Sequence, residues 1–83
     1  GTKSLIDTYL YFTSENTAVL NSMYDYYSKS IELTLSANSV FALAELIDLI
    51  HNEDFRSQYQ LVEMTTLTRT SAGYYRLDVT LTM

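Results

Sequence analysis

The chain has 83 residues, enough for one small domain over residues 1–83 and no second one. Apolar residues make up 47 % and charged residues 18 %, which excludes a disordered tail, and the net charge of −5 is the wrong sign for gripping phosphate backbones or anionic lipid. Cysteine and proline are absent and glycine occurs only as Gly1 and Gly73, so disulfides, zinc ribbons, thiol nucleophiles and glycine-rich phosphate loops are excluded together.

In chain order, the first expected element is a short helix. Leu5, Ile6, Tyr9, Leu10 and Phe12 recur at spacings of three and four and form one apolar face, with Ser4 and Asp7 resembling a capping box. The polar run Thr13-Ser14-Glu15-Asn16 ends it.

Residues 17–29 read two ways. Val19, Leu20, Met23, Tyr24 and Tyr27 make a helical stripe that Ser14 would cap, which periodicity slightly favours. The same stretch reads as a strand from Ala18 to Tyr26, turning at Tyr27-Ser28-Lys29. The next segment is unambiguous: Ile31, Leu33 and Leu35 alternate with Glu32, Thr34 and Ser36, the pattern of a half-buried strand.

Asn38 or Ser39 then caps the strongest helix, from Val40 to about Asn52. Its polar stripe is narrow, so its broad apolar face is expected to pack on a sheet and also to meet a partner. The stretch Val40 to Ile50 carries Glu45 and Asp48 and is too short to cross a bilayer of ~30 Å. Leu61 to Thr68 predicts a further strand, Ser71-Ala72-Gly73 a turn, and Tyr75 to Met83 a closing strand of strict alternation.

An internal echo joins these elements. Ile31-Glu32-Leu33-Thr34-Leu35 and Leu77-Asp78-Val79-Thr80-Leu81 share the order apolar, acid, apolar, Thr, Leu. If each closes a helix-plus-hairpin unit, the chain is αββ twice, an α+β domain with a four-stranded antiparallel sheet and two helices on one face. That plan requires residues 18–26 to be a strand.

No constellation of reactive residues emerges. His51 is the sole histidine and sits at a helix end, where it complements the carbonyl dipole. Asp48, Glu53 and Asp54 would be its partners in a metal site, but Asp48 and His51 at i, i+3 supply only a bidentate fragment. Glu53-Asp54 is expected to be solvated in a connection, and the many serines lack a nucleophile-elbow pattern. No catalytic, metal or cofactor-binding residue is therefore assigned, and the chain is not expected to be an enzyme. Tyr24, Tyr26 and Tyr27 lie together and Tyr74-Tyr75 open the last strand. Without accompanying basic residues they suit core packing or a protein interface better than base stacking. Tyr24, Tyr26, Tyr27, Arg69 and Arg76 are the candidate partner interface, with Arg69, Arg76, Glu32 and Asp78 expected on outward faces to set register.

The order of residues also carries a resemblance. Thr17-Ala18-Val19-Leu20-Asn21-Ser22-Met23, Ser30-Ile31-Glu32-Leu33-Thr34-Leu35-Ser36-Ala37-Asn38-Ser39, Asn52-Glu53-Asp54-Phe55, Leu61-Val62-Glu63-Met64 and Tyr75-Arg76-Leu77-Asp78-Val79-Thr80-Leu81-Thr82 are similar to the PilN family. These are inner-membrane assembly proteins of type IV pilus machines, related to the L and M components of type II secretion. Family members often place Gly where Ser36 stands. The resemblance implies a ferredoxin-like αββαββ fold, with residues 18–26 a strand. It also implies a scaffold domain held outside the cytoplasmic membrane by an upstream helix absent here. Its implied partners are itself or a PilO-like protein of similar fold, and a PilM-like cytoplasmic protein bound through another absent segment. Gly1 and the strand-like end at Met83 fit an excised piece of a longer protein. Alternative expectations are another extracytoplasmic, ring-building oligomerisation module and a ligand-sensing ferredoxin-like regulatory domain.

Overall fold

The computed structural model describes residues 5–83, so the Ser4 half of the expected capping box lies outside the described residues. Helix α1 (Leu5–Phe12) leads into the hairpin β1 (Thr17–Asp25) and β2 (Ser30–Ala37). Helix α2 (Val40–His51) and the single-turn α3 (Glu53–Arg56) then precede the hairpin β3 (Leu61–Arg69) and β4 (Tyr75–Thr82). The four strands form one antiparallel sheet in the order β1-β2-β4-β3. This is the ferredoxin-like αββαββ arrangement, and the ambiguous stretch is a strand.

The internal echo has a geometric meaning. Ile31 pairs with Leu81, Leu33 with Val79 and Leu35 with Leu77 across the central strands. In that register the two echoed segments exchange when the sheet is turned about the Leu33–Val79 pair. Glu32 opposite Thr80 and Thr34 opposite Asp78 are the matching pairs on the other face. A pseudo-two-fold axis therefore passes between β2 and β4, and each half contributes one central and one edge strand.

Strand alternation decides the layers. Ile31, Leu33, Leu35, Leu77, Val79 and Leu81 all point to one face and are buried there against Phe12, Ala42, Leu46, Ile50 and Phe55 from the helices. The opposite face, carrying Glu32, Thr34, Arg76, Asp78 and Thr80, has no helix over it among the described residues. Three rings hold the helices together: Phe55 stacks on Tyr11 at 4.5 Å and meets Phe12 edge-on at 5.4 Å.

Local chemistry sets the boundaries. The Ser39 hydroxyl accepts from the Ala42 amide and starts α2. Asn52 closes α2 and, through its side-chain oxygen accepting from the Phe55 amide, opens α3. Residues 53–56 are thus helical, not the plain connection expected. Gly73 turns the second hairpin at φ 93°, and Lys29 ends the first turn at φ 54°. Ser14 does not cap a helix, because none follows it; its hydroxyl lies 2.7 Å from that of Thr17 at the start of β1.

The apolar stripe of α1 is oriented otherwise than its sequence predicts. Of that stripe only Phe12 is buried, while Ile6 and Leu10 are 71 % and 63 % exposed and the polar Thr8 faces the core. The helix is only eight residues long and its entry to β1 is fixed at Phe12 and Thr17. The Thr17 hydroxyl donates to the Phe12 carbonyl at 2.8 Å, with both residues buried. That tie sets the rotation of the helix, and the rest of the apolar stripe follows outward.

Candidate functional site: the sheet edges and exposed apolar surface

The helix-free face of the sheet is polar. Arg76 Nε lies 3.7 Å from Asp78 Oδ1, and the Thr34 hydroxyl donates to the same oxygen at 3.1 Å. With Glu32, Asn21 and Met23 these residues line an open depression of about 260 Å³.

The candidate interface residues fall at opposite ends of the sheet. Tyr24 is the penultimate residue of β1 and Tyr26 and Tyr27 occupy the turn that follows, Tyr27 being 100 % exposed. The Tyr24 and Tyr26 rings meet edge-on at 6.1 Å. The Asp25 carboxylate accepts from the amides of Tyr27 (3.0 Å) and Ser28 (3.3 Å), fixing this turn. Those amides, Ser28 first, hold the carboxyl below the usual Asp range. Arg69 and Arg76 lie at the other end, opposite Tyr75 and Ser36 respectively. Arg76, Glu32 and Asp78 share the open face as expected. Arg69 does not: its register partner Tyr75 alternates with buried Leu77, so Arg69 lies on the helix side with its guanidinium 5.6 Å from the Tyr75 ring centre. The bulge at Thr65 shifts the alternation of β3 and carries Arg69 across.

His51 is exposed in the last turn of α2, with Nδ1 2.8 Å from the Ile47 carbonyl. That contact anchors the ring to its own helix. Among the described residues, no group of three or more His, Cys, Asp or Glu gathers as a metal site would require. The Tyr11 hydroxyl donates to the Leu49 carbonyl at 2.6 Å, tying α1 to α2, and burial pushes its pKa up.

The exposed apolar residues are more informative. On α1 they are Leu5, Ile6, Tyr9 and Leu10; on α2, Val40 and Phe41; on β1, Leu20, Met23 and Tyr24; on β3, Leu61, Met64 and Leu67. On β3 only Val62 is buried. Met64 and Leu67 pair with Val79 and Leu77, so they point to the helix side, yet they are 44 % and 54 % exposed. With Ile47 of α2 and Leu77 they line an apolar groove of about 170 Å³. Sequence reasoning treats Leu61 to Thr68 simply as a strand and misses this groove. The available signal is the broken alternation Val62, Met64, Leu67, whose three-residue step marks a bulge.

Compared with protein-family models, with curated proteins and with solved structures, the chain matches none of them.

Proposed function

We propose that this chain is a non-enzymatic scaffold domain of a type IV pilus or type II secretion-like inner-membrane assembly complex. It acts by pairing with itself or with a PilO-like domain of similar fold. The longer protein carries it on the extracytoplasmic side, anchored through an upstream helix, with a separate segment for a PilM-like cytoplasmic partner.

One observation carries this reading: an αββαββ domain whose large apolar side chains are spread over α1, α2, β1 and β3 on its outside. Apolar surface gains about 25 cal/mol per Å² when removed from water. A molecule presenting Ile6, Leu10, Phe41, Met64 and Leu67 together is therefore built to bury some of them against another chain. The PilN resemblance supplies the class of that chain, a domain of the same architecture.

The test is direct. The domain is mixed with the extracytoplasmic domain of the PilO-like protein from the same genome, and sedimentation equilibrium is measured for each alone and for the mixture. A heterodimer or a homodimer is expected. Two species that sediment as monomers, apart and together, would overturn the reading.

A further inference from the structure

We propose that the free edge of β3 is the homodimer surface, joining two copies antiparallel about a two-fold axis into one eight-stranded sheet. This rests on the scaffold reading and goes beyond it by naming the surface and the register.

β3 is a nine-residue edge strand, about 30 Å long at ~3.3 Å per residue, with no proline along it. One side of it is paired to β4 and the other presents free backbone groups. Its pairings with β4 and the bulge at Thr65 sort its side chains by face. Val62, Met64, Leu67 and Arg69 point to the helix side; Leu61, Glu63, Thr66 and Thr68 point to the open side.

Residues directly opposite each other in an antiparallel pair share a face. That rule eliminates every second self-pairing of this strand. One that survives sets Met64 of each copy opposite Leu67 of the other, Val62 opposite Arg69, and Glu63 opposite Thr68. A slip of one residue places Met64 against Thr66 or Thr68, on the wrong face. In this register, two Met64 and two Leu67 side chains form one apolar cluster. It closes the grooves beside both copies of Ile47, the surface that α2 leaves uncovered.

Charge agrees with this register. Thr68 neighbours Arg76 within its own sheet. Glu63 of one copy therefore lies one strand away from Arg76 of the other, and the same contact recurs by symmetry. Arg76 is half-exposed and its own contact to Asp78 is long at 3.7 Å, leaving it available. A second copy is favoured over a β3-to-β1 contact because the latter is head-to-tail and does not close. The area is that of one strand pair plus a small cluster, at the low end of specific interfaces of ~1,200 Å², so the dimer is weak, with a Kd of about 10 μM to 1 mM.

The experiment is sedimentation equilibrium of the whole chain up to ~1 mM, with circular dichroism as the folding control. The expected result is a dimer that Leu67→Lys weakens at least about tenfold without altering the dichroism. Because the chain has no cysteine, Met64→Cys and Leu67→Cys variants can be mixed and oxidised, and the mixed disulfide should exceed either like-with-like product. Glu63→Arg and Arg76→Glu should each weaken pairing about threefold, and the double swap should restore it. A dimer indifferent to Leu67→Lys but dissolved by Leu10→Lys overturns the β3 edge and leaves the scaffold reading standing. Open-ended polymers also overturn it. A chain monomeric at ~1 mM overturns the homodimer, and the PilO-like mixing experiment then decides the scaffold reading separately.

Discussion

The two edge strands are matched in length and in having a bulge, yet the molecule treats them differently. β1 and β3 each span nine residues, and their pairings slip at Leu20 and Thr65 respectively. At its start, β1 is tied down. Thr17 is buried and bonded to Phe12, the Ser14 amide donates to the Thr17 carbonyl, and the Asn38 amide and side chain both reach Asn16. β3 buries Val62 alone, as β1 buries Thr17 alone, but its Met64 and Leu67 flank an open groove beside Ile47 of α2. The difference follows from the connections. Four residues join α1 to β1, so the helix folds straight back onto its strand, whereas α3 and its following turn separate α2 from β3. A pseudo-symmetric fold thus has one edge strand anchored at its start and one that is not, while both outer edges stay unpaired.

The sharpest way to break this contrast is to truncate one ring on each side. Phe12→Ala removes a fully buried ring packed against Tyr11 and Phe55, and should cost about 3–5 kcal/mol in chemical denaturation. That is a large part of the 5–15 kcal/mol available to a small domain, so the variant is expected to be partly unfolded. Leu67→Ala, on the open edge, should stay within about 0.5 kcal/mol of the parent when measured at concentrations where the chain is monomeric. If the two losses were similar, β3 would belong to the core and the contrast would fail.

Two hydroxyls sharpen it further. Thr17→Val keeps the shape of the side chain but leaves the buried Phe12 carbonyl without its donor, and should lose about 1–3 kcal/mol. Tyr11→Phe removes the donor to the Leu49 carbonyl while keeping the stack on Phe55. Because the tyrosine is only half-buried, the expected loss is smaller, about 0.5–1.5 kcal/mol. The raised phenol pKa means the folded state prefers the protonated form. Its contribution is complete below the unfolded Tyr value of ~10 and fades as pH climbs through the folded value. Tyr11→Phe should therefore flatten the alkaline limb of the stability curve.

What was legible in the sequence is what obeys a single period. Ile31 to Leu35 and Tyr75 to Met83 alternate without interruption, and both lie in the two central strands, buried on one face. Residues 17–25 are harder because Leu20 bulges. Val19 and Leu20 become adjacent apolar residues, and the resulting spacing mimics a helix although the segment is a strand. The PilN resemblance and the echo favoured strand where periodicity did not. The same disturbance at Thr65 hid which residues of β3 face inward and carried Arg69 to the helix side. The orientation of α1 was not legible at all. Its apolar stripe points outward because Phe12 and Thr17 fix the rotation, and that constraint is a tertiary contact invisible to spacing. Among the candidate residues, the exposure of Tyr26 and Tyr27 is consistent with a turn. That they stand a sheet's length from Arg69 and Arg76 needed the register.

The smallest expected effect lies at the free tip of the held edge. The Asp25 carboxylate closes the β1–β2 turn by accepting from the Ser28 and Tyr27 amides, and those bonds lower its pKa. A carboxyl held below its unfolded value of ~3.9 stabilises the fold above that pH, and the contribution disappears as pH falls through the lower folded value. Global stability is a poor readout, because the carboxylate is solvent-exposed. The amide resonances of Tyr27 and Ser28 report it directly. They should titrate together, with a midpoint below the ordinary Asp value of ~3.9, and Asp25→Ala should abolish the transition while leaving the buried Leu33 and Val79 signals in place. A midpoint at or above the ordinary Asp range would mean that the turn is not held by this carboxylate. The order of Tyr26 and Tyr27 would then have to come from the Lys29 backbone alone.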